Sequence, residues 1–411
     1  MNEHLKRFRV IVKALAPVHI GSGDEIGKKE YILCGENEIY FPNVAKMYGY
    51  FSKKGKAEEF ERFLLNDGRD LRDWLRKNDI RRDEWNWGGY RLSRPAPQSD
   101  KRGVPVRFNE IKTFVKDPYG LPYIPGSSLK GALRNVIIGE MILRDKSGAF
   151  SKRKAELTQL RGNDLRRNSR EIAKAHNEIV RRALFKLGRD ARDFGKATND
   201  AMAAVRIGDS KPLRLSDLTI CEKIDSHILA EKGERPLPTF RECLKPGVSA
   251  EFSLTVDVGM LEAGTGGSGA AVAEGGFQHF FCPSRGFKRK EDGAILFEGS
   301  HLQNAVRKFN ILYDDGFRKK FEFDADAANV IFLGGGSGFL TKTVLLALFW
   351  GDDKGRVDFV SRYMERAFPQ NHKHDSDRTW GVSPHTAKLT EYDGARYEMG
   401  KCEMRIVPLK D

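Results

Sequence analysis

Residues 121–137 read LPYIPGSSLKGALRNVI. The stretch turns at its prolines and at Gly126 and then continues as a helix. Ser127 or Ser128 is the natural N-cap, because a serine hydroxyl can accept from the unpaired N–H groups of a first turn. Lys130 and Arg134 stand four residues apart and share one face of the opening turns.

Upstream, a strand-like run from Phe8 to Leu15 turns at Ala16-Pro17 and enters HIGSGDEIG (19–27), where Gly21, Gly23 and Gly27 predict a compact loop. A charged, helix-prone stretch follows at 57–77. A second half begins near Ala203, with strand candidates AAVRIGD, LRLSDLTICEKI and EFSLTVDVG, a helix at 301–312, another after a glycine run, and a closing strand KCEMRIVPL. Strands interleaved with helices in two such units predict an α+β protein on two open antiparallel sheets, each with helices on one face. The division expected is 1–200 and 201–411. LEAGTGGSGAAVAEGG (261–276) lacks period and predicts a mobile loop.

A chain of 411 residues, 40% hydrophobic and 10% aromatic, is long enough for sizeable cores and is not disordered throughout. No run of about 18 uncharged apolar residues and no leader-like start is present, so a cytoplasmic, non-membrane protein is expected. Five cysteines stand singly, without zinc-site or redox spacing, and read as reduced thiols. The net charge is +14, which points to a polyanionic partner. Residues 151–200 hold 14 Lys+Arg against 7 Asp+Glu. Ile172, Ala175, Ile179, Ala183 and Leu187 give that segment a helical apolar stripe. Its basic face is either solvated or turned toward RNA or a subunit.

The glycine run GGGSGFLTKT (334–343) invites a nucleotide-binding reading, which its spacing refuses. A P-loop needs lysine directly after its last glycine, whereas Lys342 falls four residues past Gly338. A side-chain-free loop of Gly334, Gly335, Gly336 and Gly338 still lets a phosphodiester backbone approach main-chain N–H groups, with Ser337, Thr341 and Lys342 as further donors. The alternative is a loop that packs tightly on a sheet.

PVHIGSGDE, LPYIPGSSLKGALRNVI, LGGGSGFLTKT and HTAKLTEYDGARYEMGKCEMRI together resemble the RAMP proteins of type III CRISPR interference complexes, more narrowly the subunits that cap the backbone filament of the type III-A, or Csm, effector. The resemblance spans about 17–406, and YIPGSSLKGALR is its most specific part. It implies two RRM-like (ferredoxin-like) domains, guide RNA (crRNA) bound near its 3′ end, and docking on neighbouring Csm backbone subunits. Contact with target RNA and host nucleases, support of crRNA maturation and antiviral defence are implied with it. It assigns His19, Gly21, Ser22, Gly23, Ser127, Ser128, Lys130 and Arg134 to the guide backbone. Hydroxyls, a helix start and two cations would hold phosphates without reading bases. A thumb at 88–110 and a basic helical insertion at 145–200 are also expected, with no cofactor and no metal.

Two rivals remain. RAMP siblings include ribonucleases, but the slicing sibling's aspartate lies past the first glycine loop, where this chain has Lys28, Lys29, Glu30 and Tyr31, and Asp24 comes too early. His19 is the candidate for metal-free cleavage. A cap that binds protein neighbours only is the other reading. His372, His374, Asp375 and His385 could ligate a metal but read as a polar loop. Trp85, Trp87 and Tyr90 could stack on bases or bury against the preceding helix.

Overall fold

The computed structural model describes residues 4–66, 68–94, 110–146, 148–159, 197–263, 278–281, 288–289, 291, 295–324, 329–367 and 374–409. Most of the proposed thumb, most of the basic insertion and most of the 261–276 loop lie outside these residues.

The strand at the N-terminus organises the first sheet. In β1 (Leu5–Ala14) the side chains alternate. Phe8, Val10, Val12 and Ala14 are buried, while Arg7, Arg9 and Lys13 face solvent, as a strand covered on one side requires.

The remaining strands, in chain order, are β2 (Gly21–Gly27), β3 (Ile32–Leu33), β4 (Glu38–Phe41), β5 (Tyr90–Ser93), β6 (Glu110–Phe114), β7 (Val205–Ile207), β8 (Leu218–His227), β9 (Glu234–Leu244), β10 (Ser249–Asp257), β11 (Lys288–Arg289), β12 (Ile295–Leu296), β13 (Val330–Phe332), β14 (Thr386–Tyr392), β15 (Ala395–Glu398) and β16 (Lys401–Pro408). The first sheet has the order β13-β16-β1-β10-β7 and is antiparallel throughout.

Helix α4 (Gly126–Arg144) follows β1, and the helix His301–Gly316 follows β10. Their apolar faces, Leu129, Leu133 and Val136 against Leu302, Ala305 and Val306, join the buried side of β1 in one core. Glu140 of α4, itself buried, pairs with Arg144 one turn on in its own helix (2.5 Å) and with Lys308 across the helix pair (2.9 Å). Strands β16, β1, β10 and β7 with these two helices form a βαββαβ unit in ferredoxin-like order.

That unit corrects the expected division at residue 200. Its first strand and first helix come from one side of the boundary and its other elements from the far side, because β1 pairs with β10 and with β16 rather than with strands of its own half. The second sheet mixes the halves in the same way, in the order β15-β14-β8-β9-β6-β2. It also departs from the antiparallel expectation, since β6 runs parallel to β9, with Lys112 beside Arg241.

A third sheet, β3-β4-β5, packs with α1 (Val44–Lys53), α2 (Ala57–Asn66) and α3 (Leu71–Lys77) around its own core of Phe51, Phe60, Phe63, Trp74 and Trp87. Of the aromatic run, Trp87 is thus buried. The burying alternative is realised for Trp87, while Tyr90 is half-buried and stacks on Phe41 of β4 at 4.8 Å. The four described cysteines are free and buried.

The glycine of the 121–137 stretch has a steric reason. Gly126 opens α4 where it runs onto the end of β7, and a Cβ there would lie 2.2 Å from the Ile207 carbonyl oxygen. An alanine normally favours a helix over glycine by up to about 1 kcal/mol, but here the overlap governs. Gly126→Ala is expected to destabilise the protein by about 1–3 kcal/mol, measured by denaturant unfolding, with the neighbouring Gly131→Ala, whose Cβ meets nothing within 4 Å, neutral or stabilising.

Candidate nucleic-acid interface

The two glycine segments meet at one place. After β1 the chain runs to His19, and Gly335 N donates to His19 O at 2.8 Å. A Cβ on Gly334 (φ +74°) would stand 2.1 Å from that carbonyl. On Gly336 it would stand 2.5 Å from Arg241 Nη1. The loop is therefore packed against the strand end, and its glycines permit the approach.

His19 is buried, and its Nδ1–H donates to Glu242 O at 2.8 Å. Burial lowers its pKa to about 4, the Glu242 hydrogen bond opposes this, and the positive charges of Arg241, Lys112 and Lys342 add to the lowering. The imidazole is thus a neutral packing element between the two glycine segments.

The hydroxyls expected to face phosphate from the second glycine segment turn inward instead. Ser337 and Thr341 are buried. Ser337 Oγ donates to Gly334 O (3.2 Å) and Thr341 Oγ1 to Ser337 O (2.9 Å), closing the loop on itself. Lys342 has an exposed side, yet partial burial holds its ammonium below the ordinary lysine range, with Arg241 adding repulsion.

Gly21, Ser22 and Gly23 are not in a compact loop. They form the exposed start of β2, the edge strand of the second sheet, with a bulge between Gly21 and Glu25 and Gly23 at φ +100°. Ser22 Oγ shares a hydrogen bond with Thr113 Oγ1 at 2.5 Å. Asp24 is exposed here, while the Glu30 carboxylate accepts from Gly27 N at 2.8 Å.

Neither serine caps α4. Pro125 holds the cap position, and Gly126 N donates to Asp209 Oδ1 at 2.8 Å, so a carboxylate already occupies the helix start. Ser127 is exposed and Ser128 half-buried within the first turn. Arg134 pairs with Asp200 at 3.2 Å, and burial keeps Lys130 below the ordinary lysine range while Asp200 opposes. Val115 connects this turn to the first glycine segment, donating its N–H to Ile20 O (2.8 Å) and accepting from Tyr123 N (3.4 Å).

Sequence reasoning missed the basic row on the second sheet. Lys112 of β6 stands beside Arg241 of β9, and Lys223 of β8 and Lys388 of β14 flank Asp225 at 3.4 and 2.9 Å. Burial holds Lys223 and Arg241 below their ordinary ranges, with Lys388 adding repulsion at Lys223. The signal was the alternation of charge in EKIDSH within β8, which places Lys223 and Asp225 on one face. This face continues into a cavity of about 760 Å3 whose walls include Lys223, Arg235, Lys388, Ser337 and Gly338. His374 and His385 also line it. Both are buried, which corrects the polar-loop reading, while Asp375 is exposed and His372 lies outside the described residues.

A row of cations beside a backbone-only loop can hold phosphates in line while leaving bases unread. Among the described residues no helix is long and apolar enough to cross a membrane. The RAMP superfamily model matches residues 11–339. The CRISPR system Cms protein Csm5 of Mycobacterium tuberculosis (strain H37Rv) is 31% identical over 421 aligned positions, covering 99% of each chain. The Csm5 of Streptococcus thermophilus is 29% identical over 352, covering 84% of this chain and 82% of its own. A chain in the cryo-EM structure of a Csm-crRNA-target RNA ternary complex of a type III-A CRISPR-Cas system superposes with a TM-score of 0.60 at 20% identity, covering 98% of this chain and 100% of that one. The crystal structure of T. onnurineus Csm5 gives 0.56 at 20%, covering 96% and 99%.

The neutral burial of His19 has a pH signature. The unfolded chain takes up a proton near pH 6.5 and the folded one only near 4, so stability falls as pH drops through that window and levels off below it. Wild type is expected to lose about 3 kcal/mol between pH 6.5 and 4 relative to His19→Asn, read from urea unfolding at each pH.

Proposed function

This chain belongs to the RAMP superfamily, among the Csm5 proteins of CRISPR systems, and from that premise we propose that it is a non-catalytic subunit of a type III-A effector that caps the backbone filament and binds the guide RNA near its 3′ end. The observation that carries the reading is the junction of the two glycine segments beside the basic row of the second sheet. There Gly21 to Gly23 on an exposed edge, Lys112, Lys223, Lys388 and Lys342 offer main-chain N–H groups and cations along one continuous face. Ser127, Ser128, Lys130 and Arg134 extend it across the start of α4, and target RNA is reached through the paired guide. His19, Gly334, Gly335, Gly336, Gly338, Ser337 and Thr341 act from beneath, fixing the shape of that face.

Such a surface suits a subunit that accepts any guide sequence, since its donors meet phosphates. Cleavage is disfavoured by the chemistry of the candidates. His19 is buried away from solvent and burial lowers its pKa to about 4, which leaves it a weak base, and Asp24 lies exposed on an edge strand whose neighbouring cation, Lys112, pairs with Glu25 at 2.8 Å.

Binding of a labelled guide RNA is expected to weaken steeply with salt, the RNA staying intact with magnesium. Lys112→Ala/Lys342→Ala should reduce the slope of log K against log salt by about 1.4, two single-strand phosphate contacts at about 0.7 each. Shortened RNA would favour the ribonuclease reading, and salt-independent assembly without RNA affinity would favour a protein-only cap.

A further inference from the structure

At the wall of the cavity lined by His374 and His385, three side chains converge that the RNA reading does not use. His374, Asp377 and His385 are all buried, at 4%, 0% and 8% exposure, and their ligand-capable atoms lie within 4.8 Å of one another. His374 Nδ1 lies 2.9 Å from one Asp377 oxygen, and His385 Nδ1 lies 2.6 Å from the other. Ser383 Oγ donates to Asp377 Oδ2 at 2.6 Å. The two imidazole rings are 4.5 Å apart at a tilt of 35°.

The placement is built by the fold. Asp377 opens the short helix Asp377–Trp380, and His385 directly precedes β14, so a strand end and a helical turn hold two of the three groups. The backbone carbonyl of His374 accepts from Ser361 Oγ at 2.5 Å, tying the third to the helix Asp353–Ala367.

From this geometry we propose a binding site for a divalent transition-metal ion of the zinc class, with His374, Asp377 and His385 as its protein ligands. Two imidazoles and one carboxylate are the donor set of open zinc and related sites, whereas calcium and magnesium call for oxygens. Ligand bonds of about 2.0–2.2 Å place tetrahedral neighbours about 3.3 Å apart. The present separations therefore need small outward movements, with the Nδ1 protons displaced. A fully buried carboxylate held by imidazoles and a hydroxyl gains the charge compensation that a dication supplies. Ser383 keeps the carboxylate oriented, as groups behind metal ligands do. His374 and His385 line the cavity, so the remaining coordination position opens toward Lys223 and Lys388, where water or a phosphate oxygen completes the shell.

The test loads the full chain with Zn2+ or Co2+, removes excess by gel filtration and measures metal per chain by mass spectrometry, with the Co2+ d–d spectrum reporting coordination. One equivalent with nitrogen and oxygen coordination is expected. It should be lost in His374→Ala/His385→Ala, and in Ser383→Ala, which keeps all three ligands, affinity should fall about tenfold. A wild-type chain that retains no metal overturns the proposal whether or not the variants fold. So does a folded double variant, verified by circular dichroism, that retains the same amount. Neither result bears on RNA affinity, which is measured without added zinc.

Discussion

The arrangement turns on one buried carboxylate. Glu242, fully enclosed on β9, accepts from Phe114 N (2.7 Å) on β6, from Tyr90 Oη (2.5 Å) on β5, and pairs with Lys116 at 2.5 Å, while its own carbonyl receives His19 Nδ1–H. One residue thus ties the third sheet, the second sheet and the first glycine segment together. A buried charge is tolerable only when paired and hydrogen-bonded, and here every bond that meets that condition also fixes a neighbour of the basic face. Where His19 sits decides where Gly335 sits, and Gly335 positions the loop that ends at Lys342.

Much of this was written in local pattern. The alternation in β1, the strands β7, β8, β10 and β16 and the helix His301–Gly316 follow from period and β-branched content, and each is where the sequence places it within a few residues. β9 was missed because ERPLPTFRECL carries Pro236 and Pro238, which argue against a strand. The structure accommodates them beside a register shift at Glu222/Lys223, where the ladder is already interrupted. The glycines of β2 lack side-chain preference and so predict a loop, and only pairing with β6 makes the segment a strand.

The boundary at 200 failed for a different reason. Local pattern reports which segments are strands and is silent on which segments pair, and β1 takes both its partners from more than 200 residues away. The candidate interface shows the same division. The glycine segments were legible as motifs, but that they abut at His19, that Ser337 and Thr341 close their own loop, and that Asp209 fills the helix start ahead of Ser127 are all consequences of distant contacts. The cations of the second sheet were scattered in sequence at 112, 223, 241 and 388 and become a row only through strand register.

The central claim is that guide RNA lies along the face formed by β2, the basic row and Lys342, rather than on the open side of the first sheet, where Arg7, Arg9 and Lys13 are also exposed. Photo-crosslinking of the assembled complex, with 4-thiouridine placed near the 3′ end of the guide and cross-linked peptides identified by mass spectrometry, separates the two surfaces. The account predicts adducts in peptides containing 21–25, 112 and 338–342. Adducts confined to peptides of β1 and β16 would contradict it.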